Sequence, residues 1–107
     1  MTEAVERARA YMASGADCVY PIGLSKGPDI AAFAAAVQAP VNVWAKPGMP
    51  DAAALQRLGV ARVSTATAPA LVVAAHLQNL AGMLRERGSF DCLSSSLNHA
   101  GMQDLMK

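Results

Sequence analysis

The stretch Pro40 to Pro50, PVNVWAKPGMP, limits what this chain can fold into more than any other. It reads as a short buried strand, Val41-Asn42-Val43-Trp44-Ala45, that leaves through a turn-rich Lys46-Pro47-Gly48-Met49-Pro50 loop. Helical patterns lie on both sides, IAAFAAAVQ before it and AAALQRLG after it. A strand between helices marks a βαβ unit, because parallel strands can be joined only by long crossovers. The plan repeats upstream in Asp17-Cys18-Val19-Tyr20-Pro21-Ile22-Gly23 and downstream in Ala61-Arg62-Val63-Ser64-Thr65-Ala66. The pleat of the central strand puts Asn42 and Trp44 on one face, and Val41, Val43 and Ala45 on the other.

Helix signals fill the intervals. Thr2 is placed to cap a first helix, with Glu3 in its first turn and Val5, Ala8 and Met12 at helical spacing before the stop at Gly15. Pro28 suits the first helical position of a second helix and Asp29 its first turn; the stripe is Ile30, Phe33, Ala34 and Val37, and the helix must end before Pro40. Asp51 is the expected N-cap of a third, with Leu55 and Leu58 inward and Gly59 as its stop. A longer helix is expected from about Pro69 to Arg87, with Leu77, Leu80, Ala81 and Leu84 as its stripe and Gly88 at its end. From Asp91 onward the apolar period fades. Residues 91–107 therefore read as a C-terminal tail, flexible or docked on a partner, beside a main body of residues 1–90.

The sum is α-β-α-β-α-β-α, with strand starts about 20 to 24 residues apart. That rhythm suits a (β/α)8 barrel or an open doubly wound sheet. Three parallel strands are few for either, and they leave two edges and part of the apolar surface uncovered. The expectation is an incomplete α/β barrel segment, about three parallel strands and four helices, that needs another chain or segment to complete its sheet.

Composition narrows the partners. The net charge is +1 and no basic tract occurs, which argues against nucleic acid or an anionic membrane. No apolar run approaches the roughly 20 residues that span a bilayer. MTEAVERARA carries acids and no apolar core, so it is not a signal peptide. Cys18 and Cys92 lie far apart without metal-ligand spacing; free thiols in a cytoplasmic protein are the expected state, with a single disulfide as the alternative.

The blocks ERARAYMASGADCVYPIGL, APVNVWAKPGMP and LQRLGVARVSTATA, followed by a long helix and GSF, together resemble the C-terminal part of the isocitrate lyase/phosphoenolpyruvate mutase superfamily. The likeness is greatest to its short phosphonomutase-like and carboxyphosphonoenolpyruvate mutase-like members, and it runs from about Glu3 to Phe90. It implies a (β/α)8 TIM barrel, of which these would be the sixth, seventh and eighth strands. Members cleave or rearrange C–C or P–C bonds of small 2-oxo or 2-hydroxy acids and use Mg2+ to hold an enolate-like oxyanion. The family's acidic metal cluster, mobile catalytic loop and substrate-gripping arginine lie upstream of the matched part. The resemblance therefore implies a lyase or mutase segment, from a truncated or split gene product, that is inactive alone. Its partner would be a complementary N-terminal barrel segment. The alternative is a non-catalytic homo-oligomerisation module derived from that barrel, because the family's last helix is typically exchanged between subunits. One departure stands out. Members commonly carry glycine after the serine of the last strand, where Thr65-Ala66-Thr67 stands here.

No catalytic or metal-binding constellation is visible in the residues. The candidate substrate contacts are Asn42, Lys46 and Ser64. Asn42 is a polar group on the face that would point into the barrel, where a buried amide bonded to its neighbours is the competing account. Lys46 lies just past a strand's C-terminal end, where barrel active sites form, and a solvated loop lysine competes with it. Ser64 has no histidine or acid at motif spacing, so it is not read as a nucleophile. GLSKG, Gly23 to Gly27, has the glycines of a phosphate-cradling loop without the Walker pattern, and would matter only if this were another phosphate-binding barrel. Asp17, Asp29 and Asp51 are explained by strand starts and caps, and His76 and His99 lack partner ligands.

Overall fold

In the computed structural model, which describes residues 1–107, the chain packs as two units, Met1–Ala66 and Thr67–Lys107. The first contains α1 (Thr2–Ala13), α2 (Gly27–Val37), β1 (Asn42–Trp44), α3 (Ala52–Arg57) and β2 (Arg62–Ser64). The second contains α4 (Ala68–Arg87), a 3-10 turn at Asp91–Leu93, and α5 (His99–Leu105).

β1 and β2 pair in parallel, with Asn42 opposite Arg62, Val43 opposite Val63 and Trp44 opposite Ser64. The first expected strand contracts to one bridging residue, Val19 opposite Val41. It is held by Val19 N–H to Pro40 O at 3.0 Å and Asn42 N–H to Val19 O at 2.9 Å. Two residues later Pro21 has no N–H to give, and its carbonyl instead accepts from Leu24 in a turn, so the ladder cannot continue. Three parallel elements are present, then, but only two have strand length. The helices number five rather than about four, because α5 forms within the C-terminal residues.

Val41 and Val43 point to the face that the helices cover. They join Val5 and Ala8 of α1, Ile30, Phe33 and Val37 of α2, Leu55 of α3, and Val19 and Val60 in one buried cluster. The spacing of these residues on each helix is the reason the helices form where they do: each apolar stripe is buried by docking on the same sheet face. Arg9 adds a tie between α1 and α2, donating from Nη2 to Ala36 O at 2.7 Å.

The local signals act mostly as their chemistry suggests. Asp51 caps α3, its carboxylate accepting from Ala54 N–H at 2.7 Å. α2 begins one residue earlier than expected, at Gly27, so Pro28 is its second residue and Asp29 lies in its first turn. Thr2 does not cap α1. The helix already includes it, Met1 takes the cap position, and no side chain supplies the bond, which leaves the first N–H groups to water. Gln38 ends α2 in the left-handed region, at φ 54. Ala66 also has positive φ, 48, just past β2.

Gly59 combines two constraints. Its φ is +89, and a Cβ there would lie 3.2 Å from the Cβ of Ala34 on α2. A left-handed non-glycine residue costs about 1–2 kcal/mol before any contact is counted. Gly59→Ala is therefore expected to lower stability by about 2 kcal/mol or more, read from the shift in urea midpoint. A change within experimental error would show that the α2–α3 approach is slack.

In the second unit α4 ends at Gly88, left-handed, with Gly88 N–H bonded to Leu84 O at 3.1 Å. Asn98 caps α5 by accepting from Gly101 N–H at 2.9 Å. No residue of α4 is buried. Of the expected stripe, Leu80 and Leu84 are half-covered while Leu77 and Ala81 are exposed. No helix is long and apolar enough to cross a membrane.

Candidate functional site

The face of the sheet opposite Val41 and Val43 carries Asn42, Trp44, Arg62 and Ser64. Strand register fixes which of them are neighbours. Val19 pairs with Val41 and Asn42 with Arg62, so Tyr20, Asn42 and Arg62 form one row across the sheet. Trp44 and Ser64 are opposite each other in the next row toward the strands' C-terminal ends. Lys46 follows just beyond.

Asn42 is the only polar side chain in the buried set, with no exposed surface. Its Oδ1 accepts from Ser64 Oγ at 3.1 Å, a bond that crosses from β1 to β2. Its Nδ2 has no partner. Leaving a buried donor unpaired costs about 1–3 kcal/mol, so this amide is held in place on one side and unsatisfied on the other.

Lys46 does not join this pair. Its Nζ lies 4.7 Å from the centre of the Trp44 ring, a cation–π arrangement that holds the ammonium near the mouth of the face. Lys46 also lines a shallow depression with Ser25, Lys26 and Gly27 at the start of α2. Of the three residues expected to contact substrate, the fold thus brings two into contact, Asn42 and Ser64, and sets the third one layer away.

Arg62 is the residue the sequence reading passed over. It is exposed, and the ion pairs of the chain are Arg7–Glu3, Arg85–Glu86 and Lys107–Asp104, which do not include it. Its alternation with Val63 along the strand was a visible signal, but its place beside Asn42 depends on register. Among Cys18, Tyr20, Asn42, Trp44, Arg62 and Ser64 the one ionised side chain is the guanidinium of Arg62, and Tyr20 lines a cavity with Glu3 and Arg7 of α1.

Ser64 hydrogen-bonds to a carboxamide, which cannot take its proton, so no nucleophile and base are paired. No group of three or more His, Cys, Asp or Glu side chains is placed to hold a metal ion. Asp51 is engaged as a cap, Asp17 is exposed, and His76 and His99 are exposed on α4 and α5. The residues present therefore do not fit a Mg2+ site.

Comparison with known proteins gives a consistent picture. Residues 1–85 match the family described as phosphoenolpyruvate phosphomutase. The crystal structure of a protein from Burkholderia cenocepacia J2315 named as a lyase/mutase superposes with a TM-score of 0.87 at 30% identity, covering 98% of this chain and 38% of that one. A second structure from the same organism, named as a phosphonomutase, gives 0.72 at 38% identity, covering 77% of this chain and 33% of that one. This chain thus spans little more than a third of the length of these structures, and its α/β fold is that of part of a lyase/mutase barrel. No curated protein matches it.

Proposed function

Because the chain belongs to the phosphoenolpyruvate phosphomutase family of the isocitrate lyase/phosphoenolpyruvate mutase superfamily, we propose that it contributes one wall of a barrel that cleaves or rearranges C–C or P–C bonds of small 2-oxo or 2-hydroxy acids. The match over residues 1–85 carries this reading. In it Asn42 and Ser64 line the substrate pocket, Lys46 stands at the mouth, and this chain alone is inactive. The Mg2+ that such chemistry uses would have to be held by carboxylates from outside these residues, since none converge here. The required partner is the remainder of a barrel, as a complementary N-terminal segment. The free thiols Cys18 and Cys92 fit a cytoplasmic setting.

A second reading, a non-catalytic oligomerisation module, is favoured by one observation. The first half of α4 exposes Leu71, Val72, Val73 and Leu77, and a helix that is apolar on all sides is normally buried by a neighbour. The test supplies the chain with the N-terminal segment of the 30%-identical lyase/mutase and assays Mg2+-dependent turnover of 2-oxo and phosphono acids. Turnover that needs both pieces is the expected result. A homo-oligomer that neither binds the added segment nor turns over would replace the first reading with the second.

A further inference from the structure

α1 and the first parallel element have a cavity of about 750 Å3 between them. Its floor is Ala8, Val19 and Phe33, all buried. Its walls are apolar and open to solvent: Tyr11, Tyr20 and Ile22 are 55%, 40% and 74% exposed. We propose that this cavity is the docking groove for one β-strand of the complementary barrel segment, which enters parallel to Val19 and pairs with the backbone of Cys18 and Tyr20. This rests on the reading above that the remainder of a barrel completes the chain, and it names the surface and the element that meet there.

Three observations support the groove and its occupant. First, the backbone edge is free. Val19 directs both its groups at one neighbour, N–H to Pro40 O and C=O to Asn42 N–H. Alternation along an extended chain turns the groups of Cys18 and Tyr20 to the opposite edge, and no backbone bond satisfies them there. An unpaired edge of this kind is a template for a further strand. Second, the cavity lies on that edge. None of its lining residues comes from β1, while Ala4, Ala8 and Tyr11, one face of α1, supply a wall. A strand laid about 4.8 Å from Val19 comes between this face and the edge. Third, the order of elements asks for a strand here. α2 joins Val19 to β1, and α3 joins β1 to β2. α1 precedes Val19 in the same way, and β1 already occupies one side of Val19, so the strand that α1 would join to it belongs on the open side, parallel to it. This chain covers 38% of the lyase/mutase chain, so the remainder of such a protein is long enough to supply the strand.

The chemistry of the occupant follows from the walls. Alternate side chains of a strand share a face, and those turned toward α1 must be apolar to pack on Ala4, Ala8 and Tyr11. The charges at the rim, Arg7 and Glu3, pair with each other, so the strand needs no charge of its own. Main-chain bonds to Cys18 and Tyr20 then supply affinity, and the alternate side chains supply selectivity.

The experiment mixes the whole chain with the N-terminal segment of the 30%-identical lyase/mutase, and separately with that segment lacking its final strand. A synthetic peptide of the final strand alone is the third probe, which keeps the test decisive where the segment does not fold. The readout is hydrogen exchange at the Tyr20 amide, with affinity measured by calorimetry. The expected result is exchange at Tyr20 slowed about tenfold or more by the segment or the peptide, and affinity about tenfold lower once the strand is removed. Ala4→Trp fills the groove from an exposed position and should weaken binding about tenfold, while Ala4→Ser binds as the parent does. A Tyr20 amide that exchanges at its free rate with both segment and peptide, or equal affinity in Ala4→Trp, overturns the assignment. Turnover that needs both pieces while Tyr20 stays unprotected keeps the catalytic reading and removes this groove. Protection of Tyr20 without turnover keeps the groove and removes the catalytic reading.

Discussion

Phe33→Ala is expected to unfold the first unit. Phe33 of α2 is 2% exposed and belongs to the buried cluster that also contains Val5 and Ala8 of α1 and the sheet valines. Truncating a core phenylalanine costs about 3–5 kcal/mol through lost burial and the cavity left behind. A unit of this size has a total stability of roughly 3–10 kcal/mol. The loss is therefore comparable with the whole, and α1, α2 and the sheet lose the one large side chain they share. Urea unfolding followed by far-ultraviolet circular dichroism measures it. Phe33→Leu, which retains most of the volume, should fold with a stability reduced by only about 1 kcal/mol. If Phe33→Ala instead unfolds within a kilocalorie of the parent, the cluster is not the core of the unit.

The second large effect is expected at α4. If its apolar surface is covered by a second copy, as the module reading holds, Leu71→Glu combined with Leu77→Glu should give a monomer. Burying a leucine is worth about 2 kcal/mol. In a two-fold interface each residue is removed twice, so the pair weakens association by about 8 kcal/mol, on the order of a millionfold in Kd. Sedimentation velocity of parent and variant decides the matter. Both leucines are exposed, so the variant keeps its fold, and an unchanged oligomer distribution would remove α4 from the interface.

How far the sequence foretold these features depends on the range of the forces involved. Asp51, Gly59 and Gly88 act within one helical turn, and each stands where its local chemistry put it. The same holds for the alternation that puts Val41 and Val43 on one face and Asn42 on the other, although all three are buried. The first strand was harder to read, because CVYPI has the composition of a strand while Pro21 withholds the donor that would extend it. In the C-terminal residues Asn98 was a visible cap, but α5 is too short for its apolar period to stand out. The Asn42–Ser64 bond and the row with Tyr20 and Arg62 were out of reach for a different reason. They depend on the register between strands, which is set by how α2 and α3 pack and not by any one stretch of chain.

The sheet is also built in the order in which its parts leave the ribosome. Val19 pairs with Val41, and Asn42 with Arg62, so every pairing joins elements about 20 residues apart, and none reaches across the chain. Each new strand meets its partner already made and needs only one intervening helix to close the loop. Such an assembly can proceed stepwise during synthesis. A chain stalled after α2 would hold Val19 and the α1–α2 pair but no ladder, while one released after β2 would carry every pairing described here.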